Sequence, residues 1–528
     1  MKLNATLLTL LLAMAGQALA KPLVVCTEAS PEGFDVAQYS TAVTFDAAAE
    51  TVFNRLIDFA PGTTDLQPAL AERWTVSDDG LVYTFHLRRG VQFHRTDYFT
   101  PTREFNADDV LWSFQRQLDP KHPWHAKASV GFPYFESMGF GQLIRSVEKT
   151  DPYTVVFTLK RREAPFLHDL AMGFTSIYSA EYADQLLAAG KTGDLNSKPI
   201  GTGPFVFQRY SKDAQVRYRA HRDYFRGAPP AETLVFVITT DNNVRLQKLR
   251  ANECQVALYP KPEDVPVIEA DPQLKVAGIE TLVTSYVALN TQHPFLKDVR
   301  VRRAINMAFD RRSHVDQLFG KGNALPAVNP YPPSMLGYNI ATHNLPYDPD
   351  KARALLKEAG VPDGTVLTLF TRNGGGPSNP NPRLSAEMLQ ADLARIGLVL
   401  DIRVMEWAEM LRRGKSGEHD LLASGWAGDN GDPDNFLTPL LGCEGAKTGE
   451  NYARWCNFAF QALITRAREI IEPDARAKLY EQALAVYDDD QPWIAIAHPR
   501  IFTAMRRNVE GYQPSPLTKN NFATTQVK

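Results

Sequence analysis

The chain has 528 residues, 44% of them hydrophobic and 22% charged, with a formal net charge of −3. That length predicts two to four compact units of a soluble globular protein. A charge balance this close to neutral, with both signs interspersed, excludes a binder of nucleic acid or anionic membrane held by bulk charge, and the sequence carries no internal repeat or low-complexity tract.

The N-terminus predicts a cleaved signal peptide over residues 1–20. Lys2 supplies the positive end, Leu7 to Ala15 the apolar core and Ala18-Leu19-Ala20 the small-residue cleavage site. Cys26 lies too far beyond Ala20 for a lipid anchor, and no later run is apolar enough to span a membrane. The expected product is exported and, from a Gram-negative source, periplasmic. Cys26, Cys254, Cys443 and Cys456 all follow the leader. An even number in an oxidising compartment favours disulfides. Of three possible pairings, Cys443–Cys456 closes a short loop and is expected, which leaves Cys26–Cys254.

In chain order, Pro22 to Thr27 reads as a strand, followed by a helical stretch around Phe45 to Leu56. Val82 to Leu87 alternates with period two after the turn at Asp79-Gly80. Asn106 caps a helix running to Leu118, with acids in its first turn. Asp151 to Leu159 is an alternating strand, and Ser179 to Ala188 a capped helix. Strands follow at Phe205 to Tyr210, Val216 to Arg219 and Leu234 to Ile238, then a helix at Asp241 to Leu249. Beyond a boundary near Glu280 to Thr284 come a strand at Tyr286 to Leu289 and helices at Val299 to Phe309 and Asp348 to Glu358. Thr365 to Thr371, Pro382 to Ile396 and Val399 to Val404 form a strand–helix–strand crossover, which demands a parallel sheet. A helix at Ala475 to Asp488 and a strand at Trp493 to His498 precede a second boundary, near 498–503. The fold class is α/β.

Phosphate-binding loops, zinc-protease motifs and nucleophile elbows are absent from the sequence. The Asp429 loop fails as a calcium loop, since Leu440 stands where a bidentate Glu is required. Ser424 to Phe436 instead joins a short strand ending at Leu421-Leu422 to a turn-rich loop of glycines, three carboxylates and Trp426. Such a loop suits a small cation carried on an apolar body. It equally suits a structural turn with a packing Trp.

Several stretches together resemble family 5 extracellular solute-binding proteins. They are Leu70-Ala71-Glu72-Arg73-Trp74, Thr84 to His94, Asn106-Ala107-Asp108-Asp109-Val110, Gly201-Thr202-Gly203-Pro204-Phe205 and Tyr347 to Ala352. Ser30 to Phe34, Asn252 to Val256, Trp455-Cys456 and the Trp426 to Phe436 loop look like the family's dipeptide-binding branch, whose two disulfides fall at these four cysteines. Thr96 to Arg103 and Phe132 to Ser137 are closer to its Sap-type branch. The resemblance implies a two-lobed α/β protein with an enlarged first lobe (21–282 plus 500–528), a second lobe (283–499) and a ligand cleft between them. It further implies a monomer without catalysis or cofactor that hands short peptides to an inner-membrane ABC permease. The alternatives are a Sap-like receptor for longer peptides, haem or a peptide-like amine with a modified C-terminus, an exported hydrolase, or a structural surface protein.

By resemblance, Asp429 binds a peptide's α-ammonium. Gly33 and Gly425 suit close approach to a ligand main chain, and Trp426 suits the wall of a side-chain pocket. The dipeptide-binding branch carries an Arg for the ligand carboxylate just before a Pro-x-Asn-Pro-Asn run, and here Gly376 stands in its place. The expectation is an altered specificity, with Arg372 in solvent. The alternative is that Arg372 folds back across Gly374-Gly375-Gly376 to supply the missing guanidinium.

Overall fold

The computed structural model describes residues 22–339 and 345–528, so the expected signal peptide lies outside the described residues. Two sheets dominate. One is antiparallel and four-stranded, in the order Ala71–Val76, Val82–Leu87, Thr154–Leu159, Ile144–Asp151. Val82–Leu87 and Thr154–Leu159 alternate between buried and half-buried residues along their length, as a sheet with one covered face requires. The helix Ala107–Leu118 packs on that face, with Phe114 4.8 Å from Phe157 between ring centroids. Asn106 caps it, its side chain accepting from the Asp108 amide (2.8 Å), while Asp109 reaches back to the Asn106 amide (3.0 Å).

The second sheet is mixed and, among the described residues, twelve-stranded. The long strand Trp493–Arg506 joins its two halves. Its first half pairs with Val283–Leu289 (Ser285 opposite Ala497) and its second half with Leu274–Glu280 (Glu280 opposite Arg500). The chain therefore passes between the halves at 281–282 and again near 499–500. Beyond one half lie Leu421–Ala427, Thr365–Arg372 and Leu398–Met405; beyond the other lie Val256–Leu258, Leu23–Thr27 and Thr233–Ile238. Thr365–Arg372 and Leu398–Met405 are parallel in register along their whole length, as the crossover demands.

Three expectations change. The helix around Phe45 to Leu56 is cut short: Ala42–Thr44 and the wide turn Phe45–Ala49 end it. The carbonyls that would continue it are taken elsewhere, Thr51 by the Phe205 amide (2.9 Å) and Val52 by the Gly203 amide (2.8 Å). The strand at Trp493 runs on through the second boundary to Arg506. The short strand before the Asp429 loop extends to Ala427, so Gly425 and Trp426 are strand residues, and a helix begins at Asp434.

The disulfides are Cys26–Cys254 and Cys443–Cys456, which span 228 and 13 residues of sequence. Chain entropy gives the short loop ~3 kcal/mol. Replacing Cys443 and Cys456 together by Ala is expected to lower the urea unfolding free energy by about that amount. An unchanged midpoint and slope would show that the loop is already held by its other contacts.

Candidate functional site

Three strands end at one cavity of about 820 Å³, part of it open to solvent. Leu23–Thr27 delivers Glu28, Thr365–Arg372 ends on Arg372, and Leu421–Ala427 leads to Asp429; all three side chains line the cavity. Ligands of open α/β sheets bind beyond the carboxyl ends of their strands. Tyr286, Trp407 and Trp426 form apolar walls, and Tyr286 is fixed by stacking on Trp493 at 3.7 Å.

Asn435, in the first turn of the helix Asp434–Leu441, sets the carboxylate end. Its side-chain oxygen accepts from the Asp429 amide (2.8 Å) and from the Trp426 indole (3.1 Å), tying strand end to helix start. Asp429 is 8% exposed. Its side chain accepts a hydrogen bond from the Tyr134 hydroxyl and is held by no ion pair among the described residues. Burial pushes its carboxyl up to about 6, against the pull of Lys519 and Tyr134. A buried carboxylate of this kind gains from a cationic partner that brings its own hydrogen bonds.

Arg372 forms the cationic end. Its guanidinium lies over the Trp407 ring, 4.6 Å from the centroid. Nε and Nη2 are shielded from solvent and have no hydrogen-bond partner among the described residues. The expectation of Arg372 in solvent is thus overturned: the side chain has folded back. A Cβ on Gly376 would stand 2.9 Å from its Nη1, so the glycine leaves room for this arginine to enter. Glu450 completes the charge pattern, already neutralised by Lys415 at 2.7 Å.

Residues 65–448 match the family described as bacterial extracellular solute-binding proteins, family 5 Middle. The chain belongs to this family. This family 5 protein is 63% identical to di/tripeptide-binding protein 4 of Pseudomonas aeruginosa, over 99% of this chain and 98% of that one. Among solved structures it is similar to the dipeptide binding protein of a Pseudoalteromonas species in complex with Met-Leu (34% identity, TM-score 0.94, 96% and 100% of the two chains). It is also similar to the Helicobacter pylori periplasmic binding protein DppA in complex with the peptide STSA (36% identity, TM-score 0.92, 96% and 98%). The α/β fold is therefore that of the two-lobed binding proteins. No helix among the described residues is long and apolar enough to cross a membrane.

Of the residues singled out from the sequence of this family 5 protein, Asp429, Trp426, Gly425 and Arg372 meet at the cavity. Gly425 is required there by close approach, since a Cβ would lie 2.1 Å from the Ser378 Cβ and 2.8 Å from the Thr284 carbonyl oxygen. Gly376 sits beside Arg372 rather than on the cavity wall. Gly33 lies apart, against Asn196 and Tyr39. Asp432 and Asp434 are held within the protein, Asp432 by Arg476 (2.8 Å) and by the Asp434 amide (3.0 Å), Asp434 by the Thr438 hydroxyl. Sequence reasoning missed Glu28, Tyr134 and Trp407. For Tyr134 a signal existed, because Phe132 to Ser137 stood out as a resemblance.

Proposed function

We propose that the protein is the periplasmic substrate-binding component of an ABC importer and encloses a short peptide between two lobes. The observation that carries this reading is the pairing of opposite, unsatisfied charges on one cavity. Among the described residues Asp429 has no direct ion pair, and Arg372 Nε and Nη2 have no hydrogen-bond partner. A peptide's α-ammonium would sit on Asp429, and an oxygen towards its other end on Arg372, so that neither buried protein charge is left alone. The solved relatives bound to Met-Leu and STSA support the ligand class.

The lobes in this reading are 21–282 plus 500–528 and 283–499, because the long strand changes partners near 500 and the chain crosses at 281–282. The mature chain would start at Lys21, work as a monomer without catalysis and dock on an inner-membrane permease. Calorimetry with Ala-Leu and its N-acetyl derivative tests the ligand reading. Saturable binding of the free amine and loss of binding on acetylation are expected; equal binding of both would remove Asp429 from the ammonium role. Small-angle scattering should show a smaller radius of gyration on adding Ala-Leu, and an unchanged radius would argue against closure of two lobes.

A further inference from the structure

Arg372 does not face the cavity alone. Glu28 lines the same space and is 4% exposed. Its carboxylate accepts from the Thr27 hydroxyl at 2.8 Å and has no ion pair among the described residues. Arg245, the other guanidinium in its surroundings, spends its donors on the backbone carbonyls of Thr239, Thr240, Leu258 and Tyr259. One end of the cavity thus offers unused N–H groups on Arg372 and unused lone pairs on Glu28, too far apart for a direct ion pair.

The two groups make different demands on a ligand. A free carboxylate placed on Arg372 gains the guanidinium but meets the like charge of Glu28 in a water-poor space, where such repulsion is weakly screened. A peptide unit has no net charge and carries an acceptor and a donor on opposite sides. Its carbonyl can take the Arg372 N–H groups while its N–H reaches Glu28, and both buried groups are then satisfied.

We propose that Glu28 determines specificity: with Arg372 it forms a slot for a neutral peptide amide, so this end of the cavity takes the second peptide bond of a tripeptide, or a C-terminal amide, in preference to the free carboxylate of a dipeptide. The inference rests on the peptide-binding reading above. Burial lowers the pKa of the Arg372 guanidinium, and the charge of Glu28 is the strongest of the ionic influences opposing that shift.

Calorimetry with Ala-Ala, Ala-Ala-amide and Ala-Ala-Ala on wild type, Glu28→Gln and Glu28→Asp tests it. Wild type should bind the amide and the tripeptide at least as tightly as the dipeptide acid. Glu28→Gln should shift the acid-to-amide preference towards the acid by about tenfold or more, the scale of one close charge contact. Glu28→Asp, which keeps the charge, should retain the wild-type preference. The ratio is internal to each variant, so a general loss of stability does not move it. An unchanged ratio in Glu28→Gln, or a wild type that already prefers the acid strongly, overturns the slot while leaving peptide binding in place. If none of the three ligands binds wild type, the peptide reading fails and the slot falls with it.

Discussion

Asp429→Asn is expected to cost a free-amine peptide about 2–5 kcal/mol of binding, the range for breaking a buried, hydrogen-bonded charge pair, while the fold stays intact. The substitution keeps the shape of the side chain, and its amide oxygen can still accept from Tyr134, so the protein loses one charge and little packing. Asp429 is buried and forms no direct ion pair among the described residues, Lys519 acting on it only from beyond contact distance, which leaves the ligand ammonium as its direct partner. Calorimetry of Ala-Leu on the variant, with thermal unfolding alongside, gives the answer. Full affinity in Asp429→Asn would make this carboxylate a structural link to Tyr134 and nothing more.

The same carboxylate sets a pH dependence. In the free protein its carboxyl titrates at about 6, raised from 3.8 by burial. A proton therefore competes with the ligand ammonium as the pH falls through about 6, and affinity should drop by up to about tenfold per pH unit below that point. Stability of the empty protein moves the other way. A carboxyl raised on folding contributes stability that is fully present below 3.8 and is lost as the pH rises through about 6. Acidification thus favours the empty protein and disfavours the complex, and Asp429→Asn should flatten both responses.

The sequence made the regular elements legible where burial is periodic or a cap is strong. Val82–Leu87 alternates, and Asn106, Asp241 and Asn381 each cap a helix with a side-chain bond. The strand Ile144–Asp151 was not legible, because it is mostly exposed and shows no alternation. The helix Phe458–Glu469 was hidden for a similar reason, since it opens on Phe458 at 83% exposed. At the site, local composition pointed to Asp429 and Trp426. It could not point to Tyr134, whose bond to Asp429 joins residues 295 apart in sequence, or to Glu28, an unremarkable residue after a buried strand. The direction of Arg372 was equally out of reach: Gly376 gives it room, but only the Trp407 ring, arriving from a helix the sequence did not announce, gives it a surface to lie on.

Arg468→Met should destabilise the protein by about 3–5 kcal/mol near pH 8, since it removes the cation from a buried cluster and leaves the anions behind. Arg468 is 5% exposed. It donates to Glu163, to the Met138 carbonyl at 2.7 Å, and lies 3.6 Å from Asp434. Asp169 stands close by, its carboxyl raised well above the usual range by burial and by the charges of Asp434 and Glu163. Glu163 and Asp169 belong to the first proposed lobe, Asp434 and Arg468 to the second, so the cluster ties the two together. Even with the arginine in place, burial holds the Glu163 carboxyl at about 7 rather than 4.5. Its contribution to stability is therefore complete below 4.5 and lost as the pH rises through about 7. Without Arg468 the carboxyl should rise further and take up its proton sooner on acidification. The deficit of Arg468→Met relative to wild type should then shrink from pH 8 to pH 5, read as the difference between paired urea unfolding curves. A deficit that is the same at both pH values would assign the loss to packing and to the Met138 carbonyl, and the buried carboxylates would not be its cause.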